Sequence, residues 1–308
     1  MSANSLRQKY NRQFARMDKY STAFAWFVVL SYIAQILLAV AAGAYLITLS
    51  FSGALLVGVA LIMLFIGTRF RGLNNIIHEC SHATFSAERS ANTSIGNFCA
   101  MLLLSSFSDY RDEHLSHHAH LGDYDHDMDL QGIKDLKLHE PLTTRVFVRH
   151  LITPILGRHL PYYLNLNFSK RDGVSWVIAK AIFLFLIAVL LVLFPITTVT
   201  FLVLPYVLVY SALNYWADCM DHAGIVASPD DLQASRNILA PKLLRSLFFP
   251  RNDCFHLVHH LFPQIPASHL EASHNALLQE PSYRMSSNAV RTRDLQIRPI
   301  STEEILAK

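Results

Sequence analysis

The sequence predicts an all-α integral membrane protein, with four transmembrane helices arranged as two hairpins beneath a cytoplasmic helical cap. Three observations predict it. The 308 residues are 52% apolar and only 16% charged, which excludes a disordered chain, a basic nucleic-acid tail and a small disulfide scaffold. Residues 21–68 run for 48 positions without an Asp, Glu, Lys or Arg, and residues 174–217 run for 44 with Lys180 as the single exception. Of the 26 Lys and Arg, 25 lie outside those two runs.

A helix rising 1.5 Å per residue needs about 20 apolar residues to cross a hydrocarbon core of about 30 Å, so each run is long enough to cross twice. Ser50, Ser52 and Gly53 break the first run in its middle, and Pro195 with Thr197 and Thr198 breaks the second. The expected spans are therefore about 21–49, 52–68, 174–194 and 197–217, within one membrane-embedded domain covering 1–308. Both hairpins return to the side they came from, which puts blocks 1–20, 69–173 and 218–308 on one face. Arg7, Lys9, Arg12, Arg16 and Lys19 precede the first span and Arg69 and Arg71 follow the second, so that face is expected to be cytoplasmic. Lys180, near the start of its span, is expected to snorkel. The first apolar stretch is too long for a signal peptide and reads as a span.

The histidines carry the chemistry. Of 16, eight fall in three five-residue windows: His78 and His82; His114, His117 and His118; His256, His259 and His260. On a helix, residues at i, i+3 and i+4 share a face, so H-x-x-x-H presents two imidazoles together and H-x-x-H-H three. Eight buried imidazoles with no partner would cost desolvation without compensation, whereas a metal supplies it. One ion takes four to six ligands, so eight nitrogens overfill a single site and fit a dinuclear centre with open positions. Imidazole suits zinc, iron, copper and nickel alike, and does not choose among them. All three windows fall in blocks on the same face, which allows them to meet.

These motifs resemble the integral-membrane fatty acid desaturase superfamily over roughly residues 20–280. The third is the most diagnostic: Asn252, His256, His259 and His260 followed by Leu261, Phe262, Pro263 and Pro266 is similar to the family's N-x-x-x-H-x-x-H-H-L-F-P-x-x-P run. Arg111 through His118, with Asp127 and Asp129 downstream, is similar to its R-x-x-H-x-x-H-H and following acidic residues, and Asn92 and Gly96 match a pattern near the first box. The resemblance implies a ninth ligand, His222, after the fourth span, with Asp218 one turn before it where an amide is often found. It also implies two iron ions, O2 as co-substrate, and a ferredoxin or cytochrome b5-type donor docking on the cytoplasmic face. Asp127 and Asp129 are expected to accept hydrogen bonds from the outer nitrogens of ligating rings, with His120 and Asn252 as further supporting candidates.

The expected activity is O2-dependent desaturation of an aliphatic, fatty-acyl or lipid-like chain, with hydroxylation or ketolation on the same core as the alternative. Redox-inert zinc does not attack an unactivated methylene, which is why iron is expected. The chain shows no nucleotide-binding glycine motif, no cysteine cluster for iron and sulfur, and no H-P-G-G signature of a fused cytochrome b5 domain, so a separate donor is expected; no nucleic-acid partner is. His78-Glu79-Cys80-Ser81-His82 also spells the H-E-x-x-H of zinc metalloproteases, with Glu79 as general base, but that reading leaves both H-x-x-H-H sets unexplained. A metal transporter would place ionisable residues inside the spans, where only Lys180 stands. Cys80, Cys99, Cys219 and Cys254 form no C-x-x-C pair and read as small buried residues.

Overall fold

The computed structural model describes residues 3–164 and 166–286, so the end of the third predicted block, 287–308, lies outside the described residues. Among those described the protein is helical; the one β feature is an isolated bridge between Tyr20 and Ser86. Helix α1 is Ala3–Phe14, α2 Thr22–Leu46, α3 Gly53–Ser81, α4 Arg89–Leu102 and α5 Phe107–His120. Short helices α6, Met128–Gly132, and α7, Thr144–Ile152, lead to α8, Val174–Leu193, and α9, Pro195–His222. Helices α10, Lys242–Phe248, α11, His256–Leu261, and α12, Leu270–Leu277, follow. Four of these, α2, α3, α8 and α9, are long and apolar enough to cross a membrane.

The first two long helices start on serine caps. Ser21 and Ser52 are N-caps whose hydroxyls accept from Phe24 N and Leu55 N. Helix α9 starts at Pro195, whose missing N–H costs nothing in a first turn, and passes through two π-helical stretches, Val199–Val203 and Pro205–Tyr210. Pro205 has no N–H for the regular ladder, which the wider π turn accommodates.

Helix α8 is built the opposite way round from a helix of a water-soluble core. Its Phe185, Leu186, Val192 and Leu193 are exposed, and its one buried residue is Lys180. The lysine does not reach out to solvent as expected from the sequence: it is 1% exposed, its Nζ donating to the Asn167 carbonyl at 2.8 Å, 3.8 Å from Asp172. Asp172 in turn accepts from Phe107 N and Ser108 N at the start of α5. A charged side chain on an apolar helix is thereby stabilised by the loop that holds the start of the second histidine helix.

Helices α2 and α3 run antiparallel, with Gly58 beside Leu46 and Gly72 beside the ring of Tyr32. Helix α3 does not end where the charge-free run ends; it continues unbroken to Ser81 and carries the first histidine pair on its last turns. Arg69 and Arg71, expected as flanking cations, are instead buried inside it. Arg69 donates to Gln35 and the Ser246 carbonyl; Arg71 donates to Asn214 at 2.8 Å and is ion-paired with Asp253. Helix α1 folds back over the C-terminal segment: Leu6 and Phe14 are fully buried, Phe14 sits edge-on to Phe262, and Arg7 and Lys9 pair with Asp231 and Glu280.

Close approach of α3 to α9 depends on Gly67. A Cβ there would lie 2.3 Å from a methyl of Val209 and 3.3 Å from the Pro205 carbonyl, in a segment with no room to yield. Gly67→Ala is expected to lower stability by about 1–3 kcal/mol. Gly53→Ala, where nothing lies within 4 Å, is expected to be near neutral. Thermal unfolding of both variants in the same detergent checks the difference.

Candidate metal centre

Nine histidines meet. His78, His82, His114, His118 and His259 form one group, and His117, His222, His256 and His260 a second, with the ligand-capable atoms of each group within 4.8 Å of one another. Contact is through Nε2 throughout: His78 to His259 at 2.8 Å, His82 to His114 at 2.9 Å, and His118 to His114 and His259 at 3.1 and 2.9 Å. In the second group His222 meets His117 at 3.3 Å and His256 at 2.9 Å, and His256 meets His260 at 2.9 Å. The groups abut where the rings of His118 and His260 stack, centroids 4.3 Å apart.

Helix geometry explains the division. At about 100° per residue, i+4 lies about 40° to one side of i and i+3 about 60° to the other. Each i, i+4 pair stays in one group: His78 with His82, His114 with His118, His256 with His260. Each i+3 residue crosses over, His117 to the second group and His259 to the first. His222, at the end of α9, completes the second.

Whether these rings suit a metal is decided by their outer nitrogens. His117 Nδ1 lies 2.9 Å from the fully buried carboxylate of Asp127, and His222 Nδ1 lies 3.1 Å from the Ala234 carbonyl. Both partners accept, so both rings carry their proton on Nδ1 and turn a bare Nε2 lone pair inward. With both rings neutral, those lone pairs face each other at 3.3 Å. A cation would turn that repulsion into coordination. The N···N spacings fit as well: metal–nitrogen bonds of about 2.0–2.1 Å give edges of about 2.9 Å at right angles and about 3.4 Å in a tetrahedron.

The surroundings favour the neutral form of most of these rings. Burial, reinforced by neighbouring rings, holds His82, His114, His118, His256, His259 and His260 well below the ordinary histidine value. For His117 burial also acts downward, but the hydrogen bond to Asp127 and the charges of Asp129 and Asp127 outweigh it and leave a net rise. A cavity of about 250 Å³ opens beside both groups, lined by His78, His114, His117, His222 and His256 and also by Leu103, Tyr206 and Tyr210.

The remaining candidates take different places. Asp127 holds His117 and also caps α6 through Leu130 N. Asp129 lines the cavity and is pushed up by burial. Asp218 lies outside both groups; it accepts from Tyr163 Oη at 2.6 Å rather than orienting His222. The Asn252 amide donates to the Ala267 carbonyl, holding the chain beyond the third motif rather than a ring. His120 is exposed beside His126: two residues beyond His118, it points to the far side of α5. The four cysteines are free thiols and belong to neither group.

Glu79 is not positioned as a general base. Both of its oxygens are held by Arg251, at 2.6 and 2.9 Å. Arg251 and Asn252 both have left-handed backbone, φ 68° and 58°, a conformation costly for Arg and here over-determined by the ion pair and by the Tyr20 and Phe85 rings at 5.3 and 5.1 Å. The second letter of the first motif thus clamps α3 to the turn that aims the third. The sequence reading missed Arg251, Asp253 and Asp221, whose carboxylate lies 3.6 Å from His256 Nδ1, and took Arg71 only for a flanking cation. Arg251 was detectable as the cation next to Asn252, but nothing local in the sequence joins it to Glu79, 172 residues away.

The family follows from this arrangement and from comparison with known proteins. Residues 53–288 match the model of the fatty acid desaturase family, so the chain belongs to that family of oxidoreductase enzymes. It is 27% identical over 241 residues to the dihydrorhizobitoxine desaturase of Bradyrhizobium elkanii, covering 72% of this chain and 68% of that protein. It is 26% identical over 117 residues, 38% of this chain and 32% of the relative, to an sn-1 acyl-lipid omega-3 desaturase (ferredoxin) of Synechocystis sp.. The chloroplastic omega-3 fatty acid desaturase of Glycine max is 24% identical over 234 residues, 66% of this chain and 51% of its own. The matched stretch thus spans about a third to about two thirds of these relatives. Family and four apolar helices together make it an integral membrane protein.

Two substitutions separate support from ligation. Asp127→Asn is expected to weaken metal retention about 10–100-fold, measured by competition with a chelator. Glu79→Leu strands the buried Arg251 and is expected to cost about 3–5 kcal/mol in thermal unfolding, with no peptidase activity in the wild type for it to remove.

Proposed function

We propose that the protein is an O2-dependent di-iron desaturase that puts a double bond into an aliphatic chain. The observation that carries this reading is the pair of histidine groups, five rings and four, whose inward nitrogens are spaced for two metal ions. His78, His82, His114, His118 and His259 would hold one iron and His117, His222, His256 and His260 the other. Iron is favoured over zinc because the reaction is a redox one: bound there, it would supply the O2 activation needed to attack an unactivated methylene.

The balance is –CH2–CH2– + O2 + 2 electrons + 2 protons → –CH=CH– + 2 H2O. The substrate loses two hydrogens, O2 is fully reduced, and a separate donor supplies the remaining two electrons. A ferredoxin or cytochrome b5-type carrier fits that role, and the ferredoxin named in one relative supports the former. The chain's own residues position and shield. The imidazoles would hold the metals, Asp127 fixes the His117 ring by its outer nitrogen, and the cavity beside the groups, which Tyr206 and Tyr210 also line, gives the substrate's target carbons a place to lie. The cavity wall also carries Glu113, Asp129, Asp218, Asp221 and Asp253 against one cation, Arg71. Such an excess of carboxyl groups offsets the charge that two divalent ions would bring into a neutral imidazole shell.

In the membrane, α2 with α3 and α8 with α9 form two hairpins in one domain. The histidines lie in a cap on the cytoplasmic face, where the donor is available. Hydroxylation is the second reading, since it shares the metal core and differs in where the oxidised carbons sit.

His82→Ala and His260→Ala, one from each group, are each expected to lower iron content and abolish product; full iron and turnover in either variant would refute the ligand assignment. Mass spectrometry of lipids and small acyl metabolites from aerobic cells with and without the protein separates the chemistries. Desaturation gives a product two hydrogens lighter, hydroxylation one that is an oxygen heavier.

A further inference from the structure

We infer that the one-electron carrier of the desaturase reading docks in a basic groove whose wall includes the metal-group histidine His82. The inference rests on the desaturase reading and gives its partner a place on the molecule.

The groove, about 430 Å³ and open to solvent, lies between the end of α3, the start of α4 and the middle of α5. Lys19, Arg89 and Arg111 line it together with His82 and Leu115, and no carboxylate does. None of the three cations has an ion-pair partner among the described residues. Lys19 donates to the Ala83 carbonyl and Arg111 to the Ser81 carbonyl, one on each side of His82 in the chain. Asp18 and Glu88, adjacent in sequence, do not line the groove. Three unpaired cations around a concave surface focus a positive field into it and raise the association rate of an acidic partner.

His82 makes this more than a charged surface. It is partly exposed, its Nε2 meets His114 inside the five-histidine group, and its side chain reaches the groove. Electron transfer weakens steeply with distance, and a ring belonging to the metal group at the protein surface shortens the path to one side chain. Each turnover then takes two successive one-electron transfers, in each of which a reduced carrier is oxidised.

The test uses the full-length, iron-loaded protein in neutral phosphatidylcholine nanodiscs, which removes membrane charge. An acidic [2Fe–2S] ferredoxin is the probe, and its association rate is measured at low and physiological salt. Lys19→Glu with Arg89→Glu is compared with Arg145→Glu and Arg158→Glu, exposed residues outside the groove that change net charge equally. The groove pair is expected to slow association about tenfold or more at low salt and to flatten the salt dependence, while the control pair does neither. Lys19→Arg with Arg89→Lys should restore wild-type binding, and iron content and dithionite-driven turnover should be unchanged in all variants. Equal losses in both charge-reversed pairs would overturn the inference, as would unchanged ferredoxin association with weakened binding to phosphatidylglycerol vesicles, which would make the groove a lipid contact. Groove-dependent ferredoxin binding to a wild type without dithionite-driven turnover would leave the docking site standing and remove the desaturase reading.

Discussion

Nine imidazole rings turned toward one another are the constraint on which the rest of the structure depends. Buried rings with opposed lone pairs are unfavourable, and each surrounding element serves to hold them there. Asp127 and the Ala234 carbonyl fix two rings by their outer nitrogens. Helix α3 extends as one rigid rod from Gly53 to Ser81, so the first histidine pair stands on the same rod that packs against α2 and α9. The Glu79–Arg251 pair forces the left-handed turn before α11. Such a preorganised shell places the cost of gathering the rings on folding, and a bound metal would relieve it.

Charge inside an apolar frame follows one pattern. Lys180, Arg69 and Arg71 are buried and Arg251 is half-buried; each is held by a carboxylate, an amide or a carbonyl, and for the three arginines the partner lies more than 140 residues away in the chain. Breaking any of them leaves an uncompensated charge, so these contacts fix which segments meet even where they add little net stability. Three of the four tie helices long enough to cross a membrane to loops that carry or flank the histidines. Coupling between membrane frame and metal centre is therefore electrostatic as well as steric.

Much of the metal centre was legible in the sequence. Residues 78–82, 114–118 and 256–260 name eight of the nine rings, because a helix that turns two or three imidazoles to one place leaves a periodic mark. His222 stands alone and left no such mark; only the family's pattern pointed to it. The division into five and four was readable in principle, since the opposed angles of i+3 and i+4 send His117 and His259 to the other side. The roles of Asp218, Asn252 and His120 were not readable, because each depends on a partner or a direction set by folding: Tyr163, Ala267 and the outer face of α5.

The sequence by itself determined the four apolar helices and roughly where each begins, since hydropathy and capping act over a few neighbouring residues; it did not determine that α3 continues to Ser81 and α9 to His222. It also determined that the protein gathers imidazoles in sets. Only the tertiary structure decided that Arg69 and Arg71 turn inward, that Lys180 is buried against Asn167, and that Glu79 is spent on Arg251 rather than on chemistry. Those outcomes are set by charges meeting across tens to hundreds of residues, and a long-range pairing leaves no periodic trace along the chain.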